Sequence, residues 1–190
     1  SGFISPNHAL AFGVGICLTG IAIVSLLTNI KAGIITAFSA FFYVFIYTML
    51  LKRKTPHNIV IGGLAGSTPP AIGWVAVSND FNAILPWLMV LVIFMWTPPH
   101  FWSLTLSKRK DYGEAGVPML PVVKGEDVTR NHIFAYTLIL LLLSVIIFVN
   151  GNVGIIFLTS GIILSGYFVF LSFTLRKTKS EEEAWKLFKF

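Results

Sequence analysis

The chain has 190 residues, of which 55% are hydrophobic and only 12% are charged, with a net charge of +6. Soluble domains carry about 25% charged residues, and the mean hydropathy here is +0.81. This composition excludes a soluble enzyme, a disordered chain and, with a single cysteine, a disulfide scaffold. It predicts a polytopic membrane protein.

Several segments are long and apolar enough to cross a bilayer, since a spanning helix needs about 20 residues. None of them contains Asp, Glu, Lys or Arg. They are too long and too continuously apolar for barrel strands of about 10 alternating residues, so we expect an all-α bundle of six membrane helices. The predicted spans are 9–28, 33–51, 58–78, 82–106, 131–149 and 153–175.

The charged residues divide unevenly between the two sides of such a bundle. If the spans alternate in direction, every Lys and Arg except Lys31 lies on the side of the N-terminus. Loops rich in Lys and Arg face the cytoplasm, or the matrix in a mitochondrion. Because these basic residues sit at membrane edges among acids and no nucleic-acid motif accompanies them, we expect the lipid bilayer as a partner and no nucleic acid.

A basic turn joins the second and third spans. Lys52 and Arg53 precede a turn signalled by Thr55-Pro56, and Asn58 opens the next span. An anion could meet these cations and the helix N–H groups at 56–60 together. The alternative is that these basic residues only determine which side of the membrane the turn faces.

Two tyrosines lie just before this turn. Tyr43 and Tyr47 are four residues apart and therefore share a helix face. Lys54 lies on the same stripe if the helix continues into the turn. The alternative role for the tyrosines is anchoring at the membrane interface.

The third span carries small residues and a proline pair. Gly62 and Gly66 form a small-xxx-small face that permits close helix contact. Pro69-Pro70 must kink or break the helix. A kink in mid-span opens room for a ligand, whereas helix packing alone is an equally good explanation.

His100 is the ionisable residue that lies well inside the fourth span, after Trp96-Thr97-Pro98-Pro99. Ionisable groups within a membrane are functional candidates by default. His100 could line a polar cavity, meet a porphyrin or carry a proton. The alternative is a neutral histidine that is hydrogen-bonded near the interface.

The loop 107–130 is too long for a plain connector. Asp111 and Glu114 are three residues apart, and both lie on one face if the fourth helix runs on. Carboxylates beside Lys108 and Arg109 suit a Mg²⁺-bound diphosphate, because carboxylates hold the metal and cations neutralise phosphate oxygens. The alternative is a solvated loop whose mixed charges bind nothing specific.

Ordered motifs along nearly the whole chain resemble those of the protoheme IX farnesyltransferases (haem O synthases), a group of UbiA-type intramembrane prenyltransferases. The motifs are Thr48-x-x-Leu51-Lys52-Arg53-x-Thr55-x-x-Asn58, Pro69-Pro70-x-x-Gly73-Trp74, Trp96-Thr97-Pro98-Pro99-His100-Phe101-Trp102 and Asp111-Tyr112-x-x-Ala115-Gly116-Val117-Pro118-Met119-Leu120-Pro121.

The resemblance implies a nine-helix bundle whose central cavity opens to the cytoplasm or matrix. It implies transfer of farnesyl from farnesyl diphosphate to a vinyl group of haem B, which gives haem O. It also implies Mg²⁺ held between two aspartate-bearing segments, and haem A synthase as a partner that receives the product.

The expected site follows from these motifs. Asp111 would hold the metal, and Glu114 is a further candidate that the motif does not include. The residues expected to bind diphosphate are Lys52, Arg53, Thr55, Lys108 and Arg109, and those expected to take part in catalysis beside Asp111 are Asn58, Tyr47 and His100.

One departure from the family pattern concerns the first aspartate-rich motif, of the type Asn-Asp-x-x-Asp, which is absent. The six spans would match the family's third to eighth helices. We therefore expect 1–190 to be a single, incomplete UbiA-type domain without two N-terminal helices and the last helix, and inactive alone. The alternatives are a prenyltransferase of a quinone or chlorophyll pathway, and a membrane transporter or assembly subunit.

Overall fold

The computed structural model describes residues 4–114, 116–151 and 153–190, with only the backbone of Lys110. Of the motif positions, Ala115 lies outside the described residues. The described residues form helices and no strands, which confirms the all-α prediction. The helices are α1 (Pro6–Leu27), α2 (Ile30–Phe41) with a π-helical continuation (Phe42–Leu51), α3 (Asn58–Gly66), α4 (Pro69–Ser78), α5 (Ile84–Ser107), α6 (Arg109–Glu114), α7 (Leu120–Val123), α8 (Glu126–Val149), α9 (Ile155–Thr178) and α10 (Glu181–Lys189).

The predicted spans are confirmed: six helical stretches of the described chain are long and apolar enough to cross a membrane. The largest shift in a boundary is at α8, which begins at Glu126 rather than at residue 131. Its first turn contains two acids, Glu126 and Asp127, and negative side chains stabilise the N-terminus of a helix. The hydropathy pattern alone cannot detect such a charged first turn.

The proline pair divides the third span into α3 and α4, as predicted. Pro69 has no N–H, so the carbonyl of Ala65 loses its helical donor. Two hydroxyls replace that donor: Thr68 Oγ1 at 2.9 Å and Ser39 Oγ at 3.0 Å from the Ala65 oxygen. The break is therefore hydrogen-bonded within the protein, as a membrane environment requires.

The π-helical stretch at the end of the second span was not predicted. Lys52 N–H donates to the Tyr47 carbonyl at 2.8 Å, five residues back, and the helix ends there. Tyr43 and Tyr47 are neighbours as predicted, with ring centroids 5.3 Å apart. The predicted stripe does not reach Lys54, because the chain has already turned at 52–54.

The main core forms where α5, α8, α9 and α10 pack together. Trp102 of α5, Ile133 of α8 and Leu187 of α10 are almost fully buried in it. Hydroxyls join α8 to α9, where Thr137 Oγ1 and Ser172 Oγ are 2.9 Å apart. Such small polar contacts are typical of helix interfaces in membranes.

Candidate functional site

A cavity of about 520 Å³, called here the Asp111 cavity, lies where the π-helical stretch, α3, α5 and α6 meet. Its polar lining comes from several of the predicted site residues, together with Tyr112. Those residues are Tyr47, Lys52, Asn58, Lys108 and Asp111. The apolar lining consists of Ile59, Phe101, Leu104, Val117 and Met119. The structure thus brings together residues that are separated by more than sixty positions in the sequence.

The helix of the fourth span does not continue to Asp111. We had expected Asp111 and Glu114 to share a face only if it did. The helix α5 ends at Ser107, and Lys108 leaves the helical conformation with φ −123° and ψ 28°. The short helix α6 then starts a new direction. Glu114 is exposed and lines neither the Asp111 cavity nor the cavity beside it.

A second cavity of about 530 Å³, called here the outer cavity, adjoins the first. Lys108 and Asp111 line both, so these two side chains lie at the boundary between them. Arg109, predicted to bind diphosphate, lines only the outer cavity and donates to Glu126 Oε1 at 2.9 Å. A phosphate contact by Arg109 would therefore compete with this ion pair.

Arg130 is the main charged residue that sequence reasoning missed. Its side chain is buried and donates to Glu126 and to Asp127 Oδ1, the latter at 2.9 Å. Lys179, beyond the end of α9, lies 2.9 Å from the same Asp127 oxygen. Acids three and four residues before an arginine are the spacing of helical ion pairs, and this signal was available in the sequence.

Asn58 closes the turn that carries Lys52. Its Nδ2 donates to the Lys52 carbonyl at 2.9 Å, and this acceptor fixes the orientation of the amide. The side-chain oxygen is buried and has no hydrogen-bond partner within the described residues. Asn58 therefore supports the backbone of Lys52, and its oxygen is an unsatisfied buried acceptor.

Tyr47 is buried, and its ring packs directly on the backbone of Gly62. A Cβ at Gly62 would lie 2.6 Å from Tyr47 Cε2, closer than atoms can approach. A Cβ at Gly66 would meet nothing within 4 Å, so the small-xxx-small prediction is right for Gly62 and wrong for Gly66. The close approach in α3 instead includes Gly63, which faces Thr97 of α5.

Two predicted diphosphate ligands lie in the turn but do not line the Asp111 cavity. Arg53 is exposed. Thr55 Oγ1 accepts a hydrogen bond from the backbone N–H of His57 at 3.2 Å, so it stabilises the turn. Of the turn residues, Lys52 is the cation that reaches the cavity.

His100 lies among aromatic rings and does not line the Asp111 cavity. Its ring is stacked on Trp96 at 4.2 Å and lies 4.6 Å from Phe188 of α10. Its Nδ1 is buried and has no hydrogen-bond partner in the described part of the chain. The helix α10 thus covers one face of His100.

Asp111 is the candidate for a magnesium ligand at the Asp111 cavity. Nowhere in the described chain do three or more His, Cys, Asp or Glu side chains come together to hold a metal. Mg²⁺, however, is commonly bound through one or two carboxylates, with substrate phosphates and water as the other ligands. Asp111 would supply one carboxylate of this kind, at a cavity that Asn58 also lines.

Comparison with known proteins identifies the family of this chain. The chain matches the UbiA prenyltransferase family over residues 1–190. It is 44% identical to the protoheme IX farnesyltransferase of Granulibacter bethesdensis over 100% of this chain and 59% of the relative. It is 45% identical to the protein of that name from Ruegeria pomeroyi over 97% of this chain and 58% of the relative.

The chain spans about three-fifths of the length of these relatives. No solved structure matches it significantly. The family match covers every predicted site residue, and the spanning helices make the chain a multi-pass membrane protein. The chain therefore belongs to the UbiA prenyltransferase family.

Proposed function

We propose that this protein transfers farnesyl from farnesyl diphosphate to a vinyl group of haem B with addition of water, giving haem O and diphosphate. The observation that carries the proposal is the Asp111 cavity, where one carboxylate and two lysines meet an apolar wall between membrane helices. The similarity to proteins named protoheme IX farnesyltransferase supports the choice of substrates. We further propose that the cavity opens to the cytoplasm, or to the matrix, and that haem A synthase receives the product.

The polar end of the cavity suits a diphosphate leaving group. Lys52 and Lys108 would neutralise phosphate oxygens as the carbon–oxygen bond of farnesyl diphosphate breaks and the diphosphate leaves with both electrons. Mg²⁺ bound through Asp111 would supply further positive charge on the same oxygens. Charge placed before the reaction is usually the largest contribution to catalysis of this kind. Tyr47 would orient the diphosphate through its hydroxyl.

The apolar end of the cavity suits the isoprenoid. Phe101 and Leu104 on α5 and Ile59 on α3 line this cavity together. An allylic cation that forms here must be protected from water until the vinyl group attacks it. An apolar enclosure within helices provides that protection. The π electrons of the vinyl group form the new carbon–carbon bond, and the carbon beside the porphyrin ring is left as a cation. Water then adds to that carbon and loses a proton, which gives the hydroxyl of haem O.

We predict that Lys52→Ala raises the KM for farnesyl diphosphate by about 10-fold or more, with a smaller effect on kcat. Hydrogen bonds to charged groups contribute about 1.5–3 kcal/mol, and Lys52 is the turn cation that lines the cavity. The matched control is Lys54→Ala, because this exposed neighbour does not line it. Equal KM values in both variants and the parent would remove Lys52 from the substrate site.

We assign His100 to the haem end of the reaction, since it does not line the cavity that contains Asp111. His100→Phe should keep the stack on Trp96 but lose the free Nδ1. We expect an unchanged KM for farnesyl diphosphate together with weaker haem B binding or lower kcat, measured by haem absorbance titration and steady-state rates. Unchanged haem binding and turnover would show that the ring only packs.

The proposed function is tested by product analysis. Because residues 1–190 are expected to be inactive alone, the full-length protein is purified in lipid and supplied with haem B, farnesyl diphosphate and Mg²⁺, and haem O is sought by mass spectrometry. A benzoquinone precursor and a chlorophyllide serve as competing acceptors, because they represent the other prenyltransferase reactions. Prenylation of one of these acceptors in place of haem B would contradict the proposal, as would binding of all substrates without any product.

A further inference from the structure

A third cavity, called here the α8–α9 cavity, lies at the end of the bundle where α8 begins and α9 ends. It has a volume of about 330 Å³. Its polar lining consists of Arg130, Arg176, Lys177, Lys179, Asp127 and Asn131. It shares no lining residue with the Asp111 cavity or the outer cavity, so the catalytic proposal does not account for it.

The charges in this cavity are not balanced. Arg130 and Lys179 are paired with the carboxylates of Glu126 and Asp127. Arg176 and Lys177, in the last turn of α9, form no ion pair within the described residues. Two positive charges are therefore available to an external anion at a single place.

The two free cations lie over aromatic rings. The Arg176 guanidinium is 4.7 Å from the ring centroid of Phe134, and the Lys177 ammonium is 4.6 Å from that of Phe173. These rings are neighbours across α8 and α9, with centroids 6.2 Å apart. Stacking of this kind holds each cation in place without neutralising its charge.

An exposed apolar surface continues from these rings along α9. Phe173 is 42% exposed, and Phe170, one helical turn earlier, is 60% exposed. Because α9 is long and apolar enough to span a membrane and its last turn carries the cations, we expect these side chains to lie at the depth of the acyl chains, next to the cations. The cations lie towards the end of α9, and the exposed apolar rings lie next to them on the membrane side. A phospholipid has the same arrangement, with its phosphate at the membrane surface and its acyl chains beneath.

We propose that the α8–α9 cavity binds the headgroup of one anionic phospholipid of the bilayer. The phosphate lies between Arg176 and Lys177, Asn131 provides a further polar contact, and an acyl chain follows Phe173 and Phe170. Basic pockets between membrane helices are a known way of recognising acidic lipid headgroups. A zwitterionic lipid gains less here, because its own cation opposes the two free charges.

The test compares lipid retention in the purified protein. The protein is reconstituted in nanodiscs of phosphatidylcholine with or without phosphatidylglycerol, and bound lipid is counted by native mass spectrometry. We expect one retained phosphatidylglycerol and a higher Tm with phosphatidylglycerol than with phosphatidylcholine alone. In the double variant Arg176→Gln/Lys177→Gln the affinity should fall about 25-fold, since each basic residue near an anionic surface contributes about a fivefold factor.

Two controls keep the proposal falsifiable. Lys124→Gln removes an exposed charge that does not line this cavity, and it should leave lipid retention unchanged. The swap Arg176→Lys/Lys177→Arg keeps both charges and should keep most of the binding. Equal retention of the two lipids would overturn the proposal, because the charges would then only set the topology of the helices. Equal stabilisation by inorganic phosphate in detergent would also overturn it, because the cavity would then bind free phosphate.

Discussion

We expect Asp111→Asn to lower the rate of haem O formation by about 10²- to 10³-fold, the range found when a group that stabilises developing charge is removed. Asp111 is the carboxylate that lines the cavity shared with Lys52 and Lys108. The substitution keeps the size of the side chain, removes its charge and replaces one acceptor oxygen with an NH2 group. The rate should be measured across a Mg²⁺ titration, and the variant should need more metal or show no dependence on it.

Two further carboxylates sharpen this experiment. Glu182→Gln changes an exposed acid on α10 and should leave the rate unchanged. Glu114→Gln asks whether the second candidate metal ligand takes part, since Glu114 follows Asp111 on α6 but does not line the cavity. A normal rate and a normal Mg²⁺ dependence in Asp111→Asn would contradict the metal role of Asp111.

The spans were predictable because hydrophobic length is a property of the sequence alone, and the break at Pro69-Pro70 because a proline cannot donate. The π-helical stretch 42–51 was not predictable. Its residues carry no local signal for a wider turn, and its hydrogen bonds depend on how it packs. That stretch explains why Tyr47 was placed correctly and Lys54 was not: the helix ends at Leu51.

The sequence predicted only part of the lining of the Asp111 cavity, since Arg53, Thr55 and His100 do not line it. Motif resemblance brought Lys52, Asn58 and Asp111 into one hypothesis, and the fold places them at one cavity. The pairings within it depend on tertiary contacts between distant segments. The Asn58 amide holds the Lys52 backbone, and Glu126 engages Arg109, which spacing could not show.

The second large effect is expected at a glycine. Gly62→Ala should destabilise the protein by about 1–3 kcal/mol, the usual cost of overpacking, and should lower the rate of haem O formation more than 10-fold. The added Cβ would occupy space that the Tyr47 ring now fills, at 2.6 Å from Cε2. The ring must move, and with it the hydroxyl that we assign to diphosphate orientation.

Gly66→Ala is a matched control in the same helix. Its Cβ would meet nothing within 4 Å. Gly66 is the last residue of α3, where the preference for alanine over glycine is weaker than in a helix interior, so this variant should be about as stable as the parent. Both variants change one hydrogen to a methyl group in α3, and Tm measurements in detergent compare them directly.

A double-mutant cycle then separates the clash from any other effect of the methyl group. In a Tyr47→Ala background the ring is absent, so Gly62→Ala should cost almost no further stability, and the coupling between the two positions should be about 1–3 kcal/mol. If Gly62→Ala costs as much without the ring as with it, the contact with Tyr47 is not the reason for glycine at this position. Equal Tm values for Gly62→Ala and Gly66→Ala would contradict the close approach itself.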